Sequence, residues 1–308
     1  MVDTAPPHTD TPAAEAATPL PDRSVVPPVW GRITNLVVDR GEGSWLITTD
    51  GERYLDYSSG IGVTNTGHAH PRVVAAIQAQ AAKLLHGQQN IMYHEPGLRL
   101  YDRLSTILPG EGWGAFLSNS GAEAVEAAVK LARISTGRPV ILAFRYGYHG
   151  RTGQTMALTS AKDVYRGHFE PLPGSVYHTA YPYCYRAPGG SHSPDACTCD
   201  WEAQLDLTFH QFVYPEHVAA IIVEPVLGEG GYLVPPPDFL PRLLLRDRRH
   251  EHGSRASTGG RGDRRTGRQA APRPAEYPVP RAGAAAVRAP GRAVVGWAVA
   301  GVPLQLGR

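Results

Sequence analysis

The feature that most constrains this chain is an alternation. Between residues 113 and 249, short apolar runs take turns with segments whose apolar residues recur at spacings of three and four. Trp113 to Leu117, Val140 to Phe144 and Val218 to Val223 are the runs. Gly121 to Ile134 carries Ala124, Val125, Ala128 and Leu131/Ala132 on one helical face, and Asp238 to about Arg249 repeats the pattern on Phe239, Leu243 and Leu244. Continuous apolar strands separated by helices predict an α/β fold, a mostly parallel sheet covered on both faces. At roughly 150 residues per domain, 308 residues make about two domains.

Upstream, Ile33 to Val38, Ser44 to Thr48 and Tyr54 to Tyr57 read as short strands, with Asp50-Gly51 as a hairpin turn. Helical spacing follows Pro71 on Val73, Val74, Ile77, Ala81 and Leu84/Leu85. It returns from about Pro96 to Leu108 on Leu98, Tyr101, Leu104 and Ile107, and Pro109-Gly110 stops it. Residues 1–28, rich in Pro, Ala and Thr, read as a disordered leader. Residues 29–70 form an N-terminal segment and 71–253 the larger domain, with a Pro-, Tyr- and Cys-rich loop over 180–200.

The last 55 residues break this grammar. Arg, Ala, Gly and Pro make up 37 of them, and Ile, Phe, Met and Lys are missing. Ten Arg against Asp263 and Glu276 give residues 254–308 a net charge of +8, so the first 253 carry −6 of the overall +2. Composition alone reads 254–308 as an aberrant basic tail. The chain has three lysines, Lys83, Lys130 and Lys162, and none later.

Near-zero overall charge does not point to nucleic acid or an anionic membrane surface. The longest apolar stretch, Ala293 to Val302, is about half of the ~20 residues that a bilayer helix needs. Acidic residues and no apolar block near the start argue against a signal peptide, so a cytoplasmic location is expected. Cys184, Cys197 and Cys199, an odd number, do not make a disulfide framework; with His192 they lack zinc spacing and read as loop cysteines. Gly67-His68-Ala69-His70-Pro71 reads as a turn into the next helix rather than a metal pair.

Three segments carry chemistry. Ser118-Asn119-Ser120-Gly121-Ala122-Glu123 joins a predicted strand to a helix, and Ser120 with Glu123 has capping-box spacing. A plain helix cap and a phosphate site, built from free N–H groups and the helix dipole, are both open there. Arg145 to Thr152 groups aromatic, imidazole and guanidinium side chains just past a strand end, where open α/β sheets bind ligands; a polar surface loop is the other reading. Glu224 to Gly231 sets a carboxylate and a glycine-rich loop at the end of another strand.

In order along the chain, Asp56-Tyr57 to Val63, Asn65 to Pro71, the helix start Ser120 to Glu126, Tyr148-His149-Gly150-Arg151-Thr152 and Glu224 to Gly231 resemble the class III aminotransferases. Within that class the resemblance is strongest to 4-aminobutyrate aminotransferase and its ω-amino acid relatives. It covers about residues 30–253. It implies the fold type I architecture, pyridoxal 5′-phosphate (PLP) as cofactor, and a homodimer with each site built from both subunits. It implies transfer of an amino group from an ω-amino acid to 2-oxoglutarate, with acetylornithine or another donor as the alternative within the class.

By position, the resemblance sets the PLP phosphate on Ser120, Gly121 and Ala122, Tyr148 against the pyridine ring with His149 beside it, and Glu224 near the ring edge. Arg151 would hold a substrate carboxylate and Ile61 would line the substrate pocket. Glu229 stands where relatives use a Glu that masks an Arg. No metal is implied.

The resemblance stops after His250-Glu251-His252-Gly253. The family continues with a strand, an Asp-Glu-Val-Gln segment whose Asp pairs with the pyridine nitrogen, the lysine that anchors the cofactor aldehyde, and a small C-terminal domain. Asp263 is followed by Arg264 and Arg265 and does not match, and no lysine follows Lys162. No catalytic lysine is therefore assigned. Because Arg, Ala, Gly and Pro have codons built mainly from G and C, the expectation is a frameshift near residue 254, real or a sequencing error, and a truncated, inactive product; a natural basic tail is the rival reading. The alternative of another class is a non-catalytic remnant that binds PLP phosphate or a dimer partner.

Overall fold

The computed structural model describes residues 23–27, 29, 31–107, 114–187, 198–244 and 293–294. The chain divides into two compact units between Ala79 and Gln80. The expected leader, most of the 180–200 loop's second half and nearly all of the 254–308 tail lie outside the described residues.

In the first unit, β1 (Val38–Glu42), β2 (Trp45–Thr48) and β3 (Arg53–Leu55) form an antiparallel sheet in chain order. The predicted Asp50-Gly51 turn closes the β2–β3 hairpin: Gly51, at φ 89°, lets the chain reverse, and Thr48 N–H donates to the Glu52 carbonyl at 3.0 Å. The strand expected from Ile33 starts later, at Val38, where pairing with Thr48 begins. Tyr57 likewise falls outside β3, whose pairing ends at Leu55.

Next comes α1 (Ser59–Gly62), a single turn in which Gly60 and Ile61 are left-handed. The Asp56 carboxylate holds its entrance, accepting from the Ser58 and Ser59 N–H groups, both at 2.9 Å, and from the Ser58 hydroxyl at 2.7 Å. His68 Nε2 lies 2.8 Å from the other Asp56 oxygen. The Ser58 hydroxyl first and His68 second pull the Asp56 carboxyl down to about 2. The Asp56 carboxylate thus accounts for the placement of His68; no group of three candidate metal ligands occurs among the described residues. The helix α2 (Pro71–Ala81) crosses the boundary between the units.

The second unit holds α3 (Glu95–Ser105), α4 (Gly121–Thr136), β4 (Val140–Phe144), α5 (Gly153–Leu158), β5 (Val176–Thr179), α6 (Trp201–Gln211), β6 (Val218–Ile222) and β7 (Ala293–Val294). Residues 239–244 are also helical. The sheet order is β5-β4-β6-β7, and every pairing is parallel. Period-two alternation splits β4 between two cores. Val140, Leu142 and Phe144 pack with Trp201, Leu205 and Phe239 on one face. Ile141 and Ala143 pack with Val125, Val129 and Leu158 on the other. Each fully buried Leu or Phe contributes roughly 1.5–3 kcal/mol, so this double-faced sheet fixes where the strand ends point.

One expectation needs correction. Residues 114–118 form no strand, because no sheet edge among the described residues takes them. The edge of β6 is met at Ala220 and Ile221 by Ala293 and Val294 of the tail. Cys184 is disulfide-bonded, whereas Cys199 keeps a free thiol 3.9 Å from its sulfur. Among the described residues, no helix is long and apolar enough to cross a membrane.

Candidate active site

The site is assembled by three chain segments at the C-terminal ends of β4 and β6 and the N-terminus of α4. Ser120 caps α4: its hydroxyl accepts from the Glu123 N–H at 3.2 Å, while the Glu123 carboxylate accepts from the Asn119 N–H at 2.8 Å. Half of the capping box predicted from sequence is formed: the Glu123 carboxylate takes the Asn119 N–H and not that of Ser120. Gly121 is exposed, with nothing within 4 Å of where a Cβ would stand. Ser120 takes the Glu123 N–H, so the first-turn N–H groups without a partner among the described residues are those of Gly121 and Ala122, at the positive end of the helix dipole.

Past β4, the loop turns back through Tyr146, left-handed at φ 69°, to Tyr148 and Gly150. Gly150 is required twice over. Its φ is 130°, and a Cβ there would stand 2.9 Å from Ala122 Cβ and 2.7 Å from Thr155 Oγ1. This contact sets the Tyr148 loop directly against the first turn of α4.

Past β6, the Glu224 carboxylate joins the two loops. Oε1 accepts from the Tyr148 N–H at 2.7 Å, and Oε2 accepts from the Gly228 N–H at 2.8 Å. Burial raises its pKa against the pull of these two donors. The Glu229 carboxylate accepts at one oxygen from Lys162 Nζ at 3.0 Å and from the Tyr165 hydroxyl at 2.8 Å. Tyr165 and then Lys162 lower its pKa. Its described cation is thus Lys162, where the resemblance implied an Arg.

The remaining candidates separate. His149 is buried, its backbone N–H donating to Thr159 Oγ1 at 2.9 Å; burial first and His178 second push its imidazole down to about 4, so it is neutral at pH 7. Arg151 is exposed and has no hydrogen bond or ion pair among the described residues. Ile61 belongs to the first unit, where it is exposed and left-handed at φ 65°, a strained state for a β-branched residue. Lys162 and Tyr165 did not figure among the predicted site residues. They stand more than 60 residues from Glu229, and no local pattern joins them.

For a phosphorylated flat cofactor these residues fit at two ends: open helix N–H groups for the phosphate, and the half-buried Tyr148 ring for the face. Comparisons with known proteins agree with that chemistry. Residues 27–252 match the family Aminotransferase class-III. A probable 4-aminobutyrate aminotransferase of Bacillus subtilis (strain 168) is 41% identical over 206 residues, covering 66% of this chain and 47% of that protein. A 2-aminoadipate transaminase of Pseudomonas putida is 41% identical over 210 residues, covering 68% and 48%. A solved amine transaminase from an uncultivated Pseudomonas species, in a PLP-bound form, superposes with a TM-score of 0.65 at 31% identity, covering 80% of this chain and 55% of that one.

The fold is that of the PLP-dependent transferases of fold type I, present here as a partial domain. The chain belongs to the class III aminotransferases. It spans about half the length of the curated relatives it matches.

Proposed function

We propose that this chain carries the cofactor-binding half of a class III transaminase acting on an ω-amino acid such as 4-aminobutyrate. The observation that carries the reading is the convergence of the open α4 N-terminus, the Tyr148 loop and Glu224 on one end of a parallel sheet. The N–H groups of Gly121 and Ala122 with the Ser120 hydroxyl would hold the phosphate of PLP, helped by the positive end of the helix dipole. Tyr148 would flank the ring, and Glu224 would keep the Tyr148 backbone in place from the ring edge. Arg151, whose guanidinium has no partner among the described residues, would take a carboxylate in bidentate fashion. When bound, the cofactor withdraws electron density from the carbon bearing the amino group. The donor named for the Bacillus subtilis relative supports 4-aminobutyrate, and the Pseudomonas putida relative keeps 2-aminoadipate as the other candidate. Exposed large apolar side chains such as Ile91, Tyr93, Phe116 and Tyr232 support a homodimer.

The same reading makes this 308-residue chain a binding half without turnover. No lysine follows Lys162, and Lys162 itself is engaged by Glu229. We also infer a change of reading frame near residue 254. The family match ending at residue 252, where the Arg-, Ala-, Gly- and Pro-rich composition begins, supports it. Translating the underlying DNA in the other two frames tests this inference. It falls if neither frame encodes a strand followed by an acidic residue and a later lysine.

Titration of the full chain with PLP, followed by absorbance and by competition with inorganic phosphate, tests the binding reading. Weak, phosphate-sensitive, non-covalent binding is expected. A chain that folds and shows no PLP signal sinks it.

A further inference from the structure

The loops after β4 and β6 are joined a second time, by side chains alone. Tyr165 stands edge-on to Tyr148, with ring centroids 5.0 Å apart and planes at 71°. Its hydroxyl and the Lys162 ammonium donate to the same Glu229 oxygen, at 2.8 and 3.0 Å. The ammonium also lies 5.7 Å from the centroid of the Tyr165 ring. Lys162 caps the short turn Asp163–Tyr165 that carries Tyr165.

We propose that Tyr165, held by Glu229 and Lys162, is a positioning residue that sets the angle of the Tyr148 ring at the cofactor face. This rests on the reading of Tyr148 as the ring that flanks PLP. Glu224 fixes only the Tyr148 backbone, through its N–H. The aromatic χ2 torsion is broad and roughly two-fold, so the ring plane needs a neighbour to choose it. Tyr165 is such a neighbour, the two rings meeting in the T-shaped arrangement that the ring quadrupoles favour. Glu229 and Lys162 keep Tyr165 there. Lys162 is more than half exposed, so its pair with Glu229 contributes little to stability by itself. Its effect is expected to be geometric and sensitive to salt.

The test uses the full 308-residue chain titrated with PLP, reading affinity and the circular dichroism induced in the cofactor band. The variants are Tyr148→Leu, Tyr165→Leu, their double, Tyr165→Phe, Lys162→Met and Lys162→Arg. Tyr165→Leu should weaken PLP binding about two- to tenfold, the scale of one aromatic pair. It should shrink the induced signal and leave competition by inorganic phosphate unchanged. The double variant should lose no more than Tyr148→Leu alone. Tyr165→Phe and Lys162→Met should reduce the signal in part, and Lys162→Arg should restore it. Losses that simply add in the double variant, or wild-type signals from Tyr165→Leu and Lys162→Met, overturn the inference while PLP binding stands. If the folded wild type shows no cofactor signal, the reading of Tyr148 falls first and takes this role with it.

Discussion

The Tyr148 backbone N–H donates to Glu224 Oε1 at 2.7 Å across 76 residues of sequence. Glu224 accepts from Gly228 with its other oxygen, so one half-buried carboxylate ties the ends of β4 and β6 together. Glu224→Ala leaves both N–H groups without that acceptor. An unsatisfied buried donor costs about 1–3 kcal/mol, so the variant should lose roughly 2–4 kcal/mol in urea unfolding. Glu224→Gln keeps one acceptor oxygen and should lose about half as much. Equal midpoints for wild type and both variants would show that the carboxylate holds nothing.

Gly150 meets the first turn of α4 where a Cβ would stand 2.9 Å from Ala122 Cβ and 2.7 Å from Thr155 Oγ1. Its φ of 130° is strained for any side chain. Gly150→Ala is expected to destabilise by about 1–3 kcal/mol, the range for overpacking. It should also displace the Tyr148 loop from the α4 N-terminus. Thermal unfolding measures the first effect and the induced PLP signal the second. A wild-type melting temperature would mean that loop and helix are not in contact.

The sheet was legible from residues 140–144 and 218–222 because a strand buried on both faces must be apolar throughout, and no other short element imposes that. β5 was missed: Val176–Thr179 alternates partly and fully buried residues with an exposed Tyr177, and its strand identity comes from pairing with β4. α6 was readable in principle, since Trp201, Leu205, Thr208 and Phe209 lie on one helical face, but an adjoining cysteine-rich loop hid its start. At the site, the Ser120–Glu123 cap is local and could be read from spacing. The Glu229 contacts with Lys162 and Tyr165 could not, because only the fold brings together residues so far apart.

His149 makes stability depend on pH. Its folded pKa of about 4 lies below the ordinary imidazole value of 6.5, because burial penalises the charged ring and His178 adds to the effect. A base depressed in the folded state favours folding fully above its unfolded pKa. The unfolded chain takes up the proton first as pH falls, so stability should decline between about 6.5 and 4 and then level off. At 1.36 kcal/mol per unit, the loss is on the order of 3 kcal/mol. The measurement is the urea midpoint from pH 7 to 4 for wild type and His149→Gln, the variant being flatter over that window. Parallel curves would assign the decline to other groups.

The last prediction concerns turnover by this chain. PLP-dependent transfer needs an amine that both anchors the cofactor and relays a proton. Lys83 and Lys130 are exposed helical or post-helical residues with no tie to the loops that bear Tyr148 and Glu224. Lys162 is close, but Glu229 raises its pKa, which holds it as an ammonium and removes the lone pair that an attack on an aldehyde requires. Loss of positioned acid–base help alone costs about 10²–10⁴-fold in rate. The 308-residue chain is therefore expected to bind PLP without a covalent link and to give no measurable transamination of 4-aminobutyrate. Borohydride treatment after PLP addition, with peptide mapping, reads the first point, and a 2-oxoglutarate-coupled assay reads the second. Glu229→Gln adds a control, since it frees Lys162 and should raise its labelling above wild type. A pyridoxyl group on Lys162 of the wild-type chain, together with turnover, would show that this lysine serves where the sequence lacks a later one.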